Sequence, residues 1–186
     1  LVVHPRYHFL SDVAPLGERD AVKQIEVGLV RIGIPEVVVF AALRHAKTVG
    51  VFSLEMSHQQ LFLRLLCSEG QIDAHRLRTG RVSREQWDKI IVCYGQLQGA
   101  PIFIDDTPGL GVMEMRAKAR RLDAEFGIDL IVVDYLQLMR ADSLIQNRVQ
   151  EISYISGALK SLARELDVPV VALSQLNRNP ESRADK

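Results

Sequence analysis

The chain has 186 residues, with 23 lysines and arginines against 23 aspartates and glutamates. Hydrophobic residues make up 47% and charged residues 25%, enough to bury a sizeable core, and this excludes a disordered tail, a collagen-like fibre or a coiled coil. No apolar run reaches the roughly 18 residues of a membrane span, the start lacks a secretory signal's layout, and zero net charge gives no global pull toward nucleic acid while leaving a local basic surface open.

Residues 1–36 are the least patterned stretch. His4-Pro5 and Ala14-Pro15 argue for irregular chain, because the residue before proline is pushed away from helix. The i,i+4 pair His4 and His8 is therefore read as surface histidines, not a metal site. Asp20 to Gly33 is a candidate linker helix, with Val22, Ile25, Leu29 and Ile32 on one side.

From residue 37 onward, short apolar runs alternate with helix-like stretches. The runs are Val37–Phe40, Val49–Phe52, Pro101–Ile104, Leu130–Val133 and Val168–Leu173. They are rich in β-branched residues and unbroken by polar alternation, which suits parallel strands covered on both faces. Ser57 caps a helix carrying Leu61, Leu65 and Leu66 inward and ending before Gly70. Ser83 with Gln86 is a capping box, after which Trp87, Ile90, Ile91, Tyr94 and Leu97 mark one helical face. A third helix, about Val112 to Phe126, repeats Met115, Ala119, Leu122 and Phe126 and stops at Gly127. The longest, about Arg148 to Leu166, turns Val149, Ile152, Leu159, Leu162 and Leu166 inward. Strand–helix alternation of this kind predicts an α/β domain with a mostly parallel sheet. Cys67 and Cys93 lack metal-type spacing and are expected as small buried apolar residues in a reduced compartment, the cytoplasm by default.

One interval breaks the rhythm. Only Ala41 to Thr48 separate the first two runs, whereas parallel neighbours need a crossover of about a dozen residues. Either these runs are not sequential parallel strands, or something is missing between them.

Three segments place polar groups at the carboxyl ends of predicted strands, where open α/β sheets bind ligands. They are Ser53-Leu54-Glu55-Met56, Asp134-Tyr135-Leu136-Gln137 and Ser174-Gln175-Leu176-Asn177-Arg178. Four apolar residues followed by aspartate, as in Leu130 to Asp134, form the Walker B pattern, whose carboxylate holds the Mg²⁺ of a bound nucleotide. Asp105-Asp106-Thr107-Pro108-Gly109 reads as turn and cap chemistry and not as a metal site. Arg116, Arg120 and Arg121, with Arg76, Arg78 and Arg81, read as a solvated charged face before they read as phosphate contacts, and Glu114 with Lys118 as an i,i+4 pair. Met139 to Asn147 reads as a polar connector or a DNA loop.

Together, Val51-Phe52-Ser53-Leu54-Glu55-Met56, Asp134-Tyr135-Leu136-Gln137-Leu138-Met139 and Ala172-Leu173-Ser174-Gln175-Leu176-Asn177-Arg178 resemble the motor domain of bacterial replicative DNA helicases, the DnaB family. Arg78-Thr79-Gly80, Ile104-Asp105-Asp106-Thr107, Arg116 to Arg121 and Arg183 to Lys186 extend the resemblance from about Lys47 to Lys186. It implies a RecA-like fold over 37–186. Glu55 matches the glutamate that polarises the attacking water, Asp134 the Walker B aspartate at Mg²⁺, and Gln175 the glutamine that senses the γ-phosphate. It also implies ATP and Mg²⁺ as cofactors, a homo-hexameric ring moving on single-stranded DNA, and work with primase and a helicase loader, with no membrane role.

The family's glycine-rich phosphate loop ending Gly-Lys-Thr or Gly-Lys-Ser is not found. His45-Ala46-Lys47-Thr48 lacks the glycines and runs straight into a strand, so Lys47 and Thr48 are not taken as nucleotide ligands. This departure falls at the short interval, and the preferred expectation is a missing loop and helix between Phe40 and Val49. A true deletion would leave a catalytically inactive RecA-like binding or assembly module; another RecA-type ATPase is the weaker alternative.

Overall fold

A computed structural model describes residues 33–141, 145 and 147–174. The candidate linker helix at Asp20 to Gly33, save Gly33 itself, and the segment from Gln175 onward lie outside the described residues.

The first element, α1 (Ile34–Val39), widens into π-helical turns over Phe40–Arg44. There follow β1 (Val49–Ser53), α2 (His58–Gly70), α3 (Ala74–Arg78), α4 (Arg84–Gln98), β2 (Ile102–Asp105), α5 (Val112–Phe126), β3 (Leu130–Asp134), a single 3₁₀ turn over Leu136–Leu138, α6 (Arg148–Leu166) and β4 (Val170–Ala172). The four strands form one parallel sheet in the order β2-β1-β3-β4. Alternating side chains feed two cores. Phe52, Ile131 and Val133 join the α5–α6 side with Met115, Ile155, Leu159 and Leu162. Val49, Val51 and Val132 join α1, α2 and α4 through Val38, Leu61, Leu65 and Ile90. Strands buried on both faces explain their unbroken apolar runs.

The expected Ser57 cap forms as a full capping box, and so does the expected Ser83 box. Ser57 Oγ accepts from the Gln60 amide at 3.3 Å while Gln60 Oε1 accepts from the Ser57 amide at 3.2 Å. Ser83 and Gln86 exchange the same pair of bonds at 3.2 and 3.0 Å. Both cysteines are buried and free, and burial pushes each thiol's pKa up, with Asp73 and Glu69 adding to Cys67 and Cys93 respectively.

The run Val37–Phe40 is not a strand. It lies in α1 and its extension, where Ile34, Val38, Ala41 and Ala42 bury one side at helical spacing and Phe40 stands exposed. Packing of that side has overridden the strand preference of three consecutive valines. Phe40 and Val49 are thus not sequential strands, and the interval needs no crossover: a helix already leads into β1. Three further expectations change. On α4 the buried line is Ile90, Cys93 and Leu97, while Trp87, Ile91 and Tyr94 face outward. On α6, Ile155 is fully buried and Val149 is exposed. On α5, Phe126 is half exposed and stacks on Phe103.

Candidate functional site

Strand order places the site. From β1 the chain crosses to β2 on one side, and from β3 it crosses to β4 on the other. The connections leaving β1 and β3 therefore part company, opening a crevice at the carboxyl ends of these two neighbours. Glu55 follows β1 and Asp134 ends β3, so the two carboxylates predicted from sequence flank that crevice. The register pairs Ser53 with Asp134, and the Leu54 amide donates to the Asp134 carbonyl at 2.7 Å.

The turn bearing Glu55 is fixed on each side. Ser53 Oγ donates to the Met56 carbonyl at 2.7 Å, and beyond the Ser57 cap the His58 amide donates to Asp106 Oδ2 at 2.8 Å. His58 Nδ1 lies 2.9 Å from the same oxygen. Glu55 itself is exposed, whereas Asp134 is half-buried. Burial raises the pKa of Asp134, the like charge of Glu55 raises it further, and Arg64 on α2 opposes them. A half-buried Asp134 with the like charge of Glu55 beside it fits a divalent cation, which would relieve the repulsion and needs few protein ligands when a nucleotide and water supply the rest. Among the described residues no group of three or more His, Cys, Asp or Glu could hold a metal without such help.

The third predicted segment converges on the second. The Leu136 amide donates to the Leu173 carbonyl at 2.9 Å, and Gln137 Nε2 donates to Ser174 Oγ at 2.8 Å. Gln175 lies outside the described residues, next to Ser174. Asp105 does the turn work expected of it, its Oδ1 accepting from the Thr107 amide at 3.0 Å, whereas Asp106 is engaged by His58. Lys118 bridges Asp105 Oδ2 at 2.7 Å, Thr107 Oγ1 at 2.7 Å and Glu114 Oε1 at 3.6 Å. Arg116 and Arg120 are both engaged by Glu165. Lys47 Nζ lies 3.1 Å from Asp129 Oδ1, and the Thr48 amide donates to Asp129 Oδ2 at 2.9 Å. Asp129 precedes β3, so this pair sits at the amino edge of the sheet, opposite Glu55.

Two contributors carried no sequence signal: Arg64, a lone arginine on α2, and the His58–Asp106 tie, which joins residues far apart in the chain.

The family model for the DnaB-like helicase C terminal domain matches residues 34–186. The chain belongs to the DnaB-like helicase C-terminal domain family. It is 53% identical over 146 residues to the replicative DNA helicase DnaB of Geobacillus stearothermophilus, covering 78% of this chain and 32% of that protein. To its counterpart from Nostoc it is 56% identical over 140 residues, covering 74% of this chain and 16% of the relative. The chain thus spans about a third or less of these relatives' lengths. A solved DnaB-like replicative helicase, described with its interactions with primase, superposes with a TM-score of 0.73 at 33% identity, over 82% of this chain and 38% of that one. A second solved structure, described as an ATPase domain, gives 0.69 at 34% identity, over 73% and 49%. The DnaB-like domain seen here therefore has an α/β RecA-like fold. No described helix is long and apolar enough to cross a membrane.

Proposed function

We propose that this domain is the motor of an ATP-dependent replicative DNA helicase, working as one subunit of a homo-hexameric ring that moves on single-stranded DNA beside primase and a helicase loader. What supports this most is the placement of Glu55 and Asp134 at the carboxyl ends of neighbouring strands, across the switch-point crevice, in a chain of this family. Bound Mg·ATP would supply the phosphoryl group transferred to water. Asp134 is the residue to hold the cation, since a hard ion prefers a charged oxygen. Glu55, exposed on a turn pinned by Ser53, Ser57 and Asp106, is the base that takes the proton of water. Gln175, next to Ser174, is proposed to sense the γ-phosphate and pass its loss to the segment beyond, an order or position switch as in other nucleotidases.

The test is ATP hydrolysis by assembled full-length protein with and without single-stranded DNA. Stimulation by DNA is expected, and Gln175→Ala should reduce stimulation and unwinding more than nucleotide affinity. Full retention of both would remove the sensor role from Gln175. A second reading, a non-hydrolysing RecA-like assembly module, draws on the first turn of α1, which does not fit triphosphate in the usual way.

A further inference from the structure

We infer that the phosphate end of this nucleotide site has been rebuilt, so that the first turn of α1 does not grip a triphosphate and the domain holds Mg·ATP weakly. This rests on the reading that Glu55 and Asp134 flank a nucleotide.

The four residues His45 to Thr48 turn α1 and its extension into β1, so the helix runs back along the sheet. The turn meets Asp129 just before β3, at the amino edge of the sheet, and α1 packs on β3, the strand that ends in Asp134. A helix in that position is where a phosphate loop delivers its load. The sequence keeps the loop's glycine spacing: Gly28 and Gly33 are separated by Leu29, Val30, Arg31 and Ile32. In a working loop the next two residues are lysine, which reaches the β- and γ-phosphates, and serine or threonine, whose hydroxyl binds Mg²⁺. Here they are Ile34 and Pro35.

Each replacement removes a phosphate contact by a different route. Ile34 is 6% exposed, turned into the core with Val38 and Leu61. Pro35 offers neither a hydroxyl nor an amide hydrogen. Glu36 then adds a negative charge to the first turn of the helix. Its carboxylate lies over Gly33, so close that a Cβ built there would be 2.6 Å from Oε2, and its other oxygen accepts from Ser68 Oγ at 3.2 Å. The positive end of the helix is thus met by the chain's own carboxylate. The glycine spacing without lysine or hydroxyl, and an acid folded over the turn, point the same way.

The experiment measures the affinity of Mg·AMP-PNP, a non-hydrolysable triphosphate, for the full-length assembled protein. Parent, Glu36→Ala and Ile34→Lys/Pro35→Thr are compared, with circular dichroism and oligomer size as checks on folding. Glu36→Ala alters an exposed side chain and remains informative if lysine disturbs the core. Restoring one charge-assisted contact should tighten binding about tenfold or more, and Glu36→Ala should tighten it in the same direction. Folded variants that bind no tighter than the parent would overturn the inference. So would a parent that already binds Mg·AMP-PNP at low micromolar concentration. Asp134→Asn separates the two proposals. Tight binding in the restored variant that ignores Asp134 would sink the site reading and leave this inference standing; tight parental binding that depends on Asp134 would do the reverse.

Discussion

Ile90 and Ile91 are adjacent on α4 and chemically identical, yet Ile90 is 7% exposed and Ile91 66%. Replacing either by alanine changes helix propensity by the same few tenths of a kcal/mol in the favourable direction. The difference between the two variants therefore isolates burial. Ile90→Ala deletes three carbons from the cluster shared with Leu61, Leu65 and Val51. At about 0.8 kcal/mol for each carbon, with a cavity left behind, the loss is about 3 kcal/mol. For a domain of this size that lowers Tm by roughly 6–12 °C. Ile91→Ala should stay within about 0.5 kcal/mol of the parent. Urea titrations with an unchanged slope would read both values. Equal losses, or a larger loss at Ile91, would refute the assignment of α4's buried face.

Asp134→Asn should stabilise the metal-free domain at neutral pH, because burial and Glu55 hold the folded-state pKa of Asp134 above its ordinary value and its charged form is the disfavoured one. The same variant should raise the Mg²⁺ requirement for hydrolysis; thermal melts and Mg²⁺ titrations check the two halves. Burial pushes Asp105 up, but Lys118 and Thr107 outweigh it and hold the carboxyl below its usual range, while Asp105 outweighs the burial that pulls Lys118 down. Stability from Asp105 is then present above the ordinary carboxylate pKa and lost as pH falls, and that from Lys118 is lost as pH rises past its ordinary value; Lys118→Met should flatten both limbs of a stability–pH profile. Ser83→Ala removes the α4 capping box and should cost about 1 kcal/mol in urea unfolding.

The strands and the two carboxylates were legible because parallel strands buried on both faces leave uninterrupted apolar runs, and a polar residue ending such a run marks the sheet's binding edge. Val37–Phe40 carried the same local signature and became helix. The spacing of Ile34, Val38, Ala41 and Ala42 was the competing signal, and it is visible only when the window opens upstream of the valines. Trp87, Ile91 and Tyr94 misled for a related reason: an apolar residue on a helix need not face inward, and the buried line is set by where α2 lies. Arg64 and the His58–Asp106 tie could not be read at all, since partners distant in sequence meet only through the fold. The glycine spacing before α1 becomes meaningful only once α1 is known to be a helix.

The central claim is that Glu55 and Asp134 form the hydrolytic edge of the domain, and the most direct measurement is the rate of ATP hydrolysis by assembled full-length protein at saturating Mg·ATP with single-stranded DNA, in parent and Glu55→Gln. The amide keeps the shape of the turn but cannot accept a proton from water, so the rate should fall by about a hundredfold to ten-thousandfold with nucleotide affinity little changed. A Glu55→Gln protein that hydrolyses ATP at the parental rate would contradict the account.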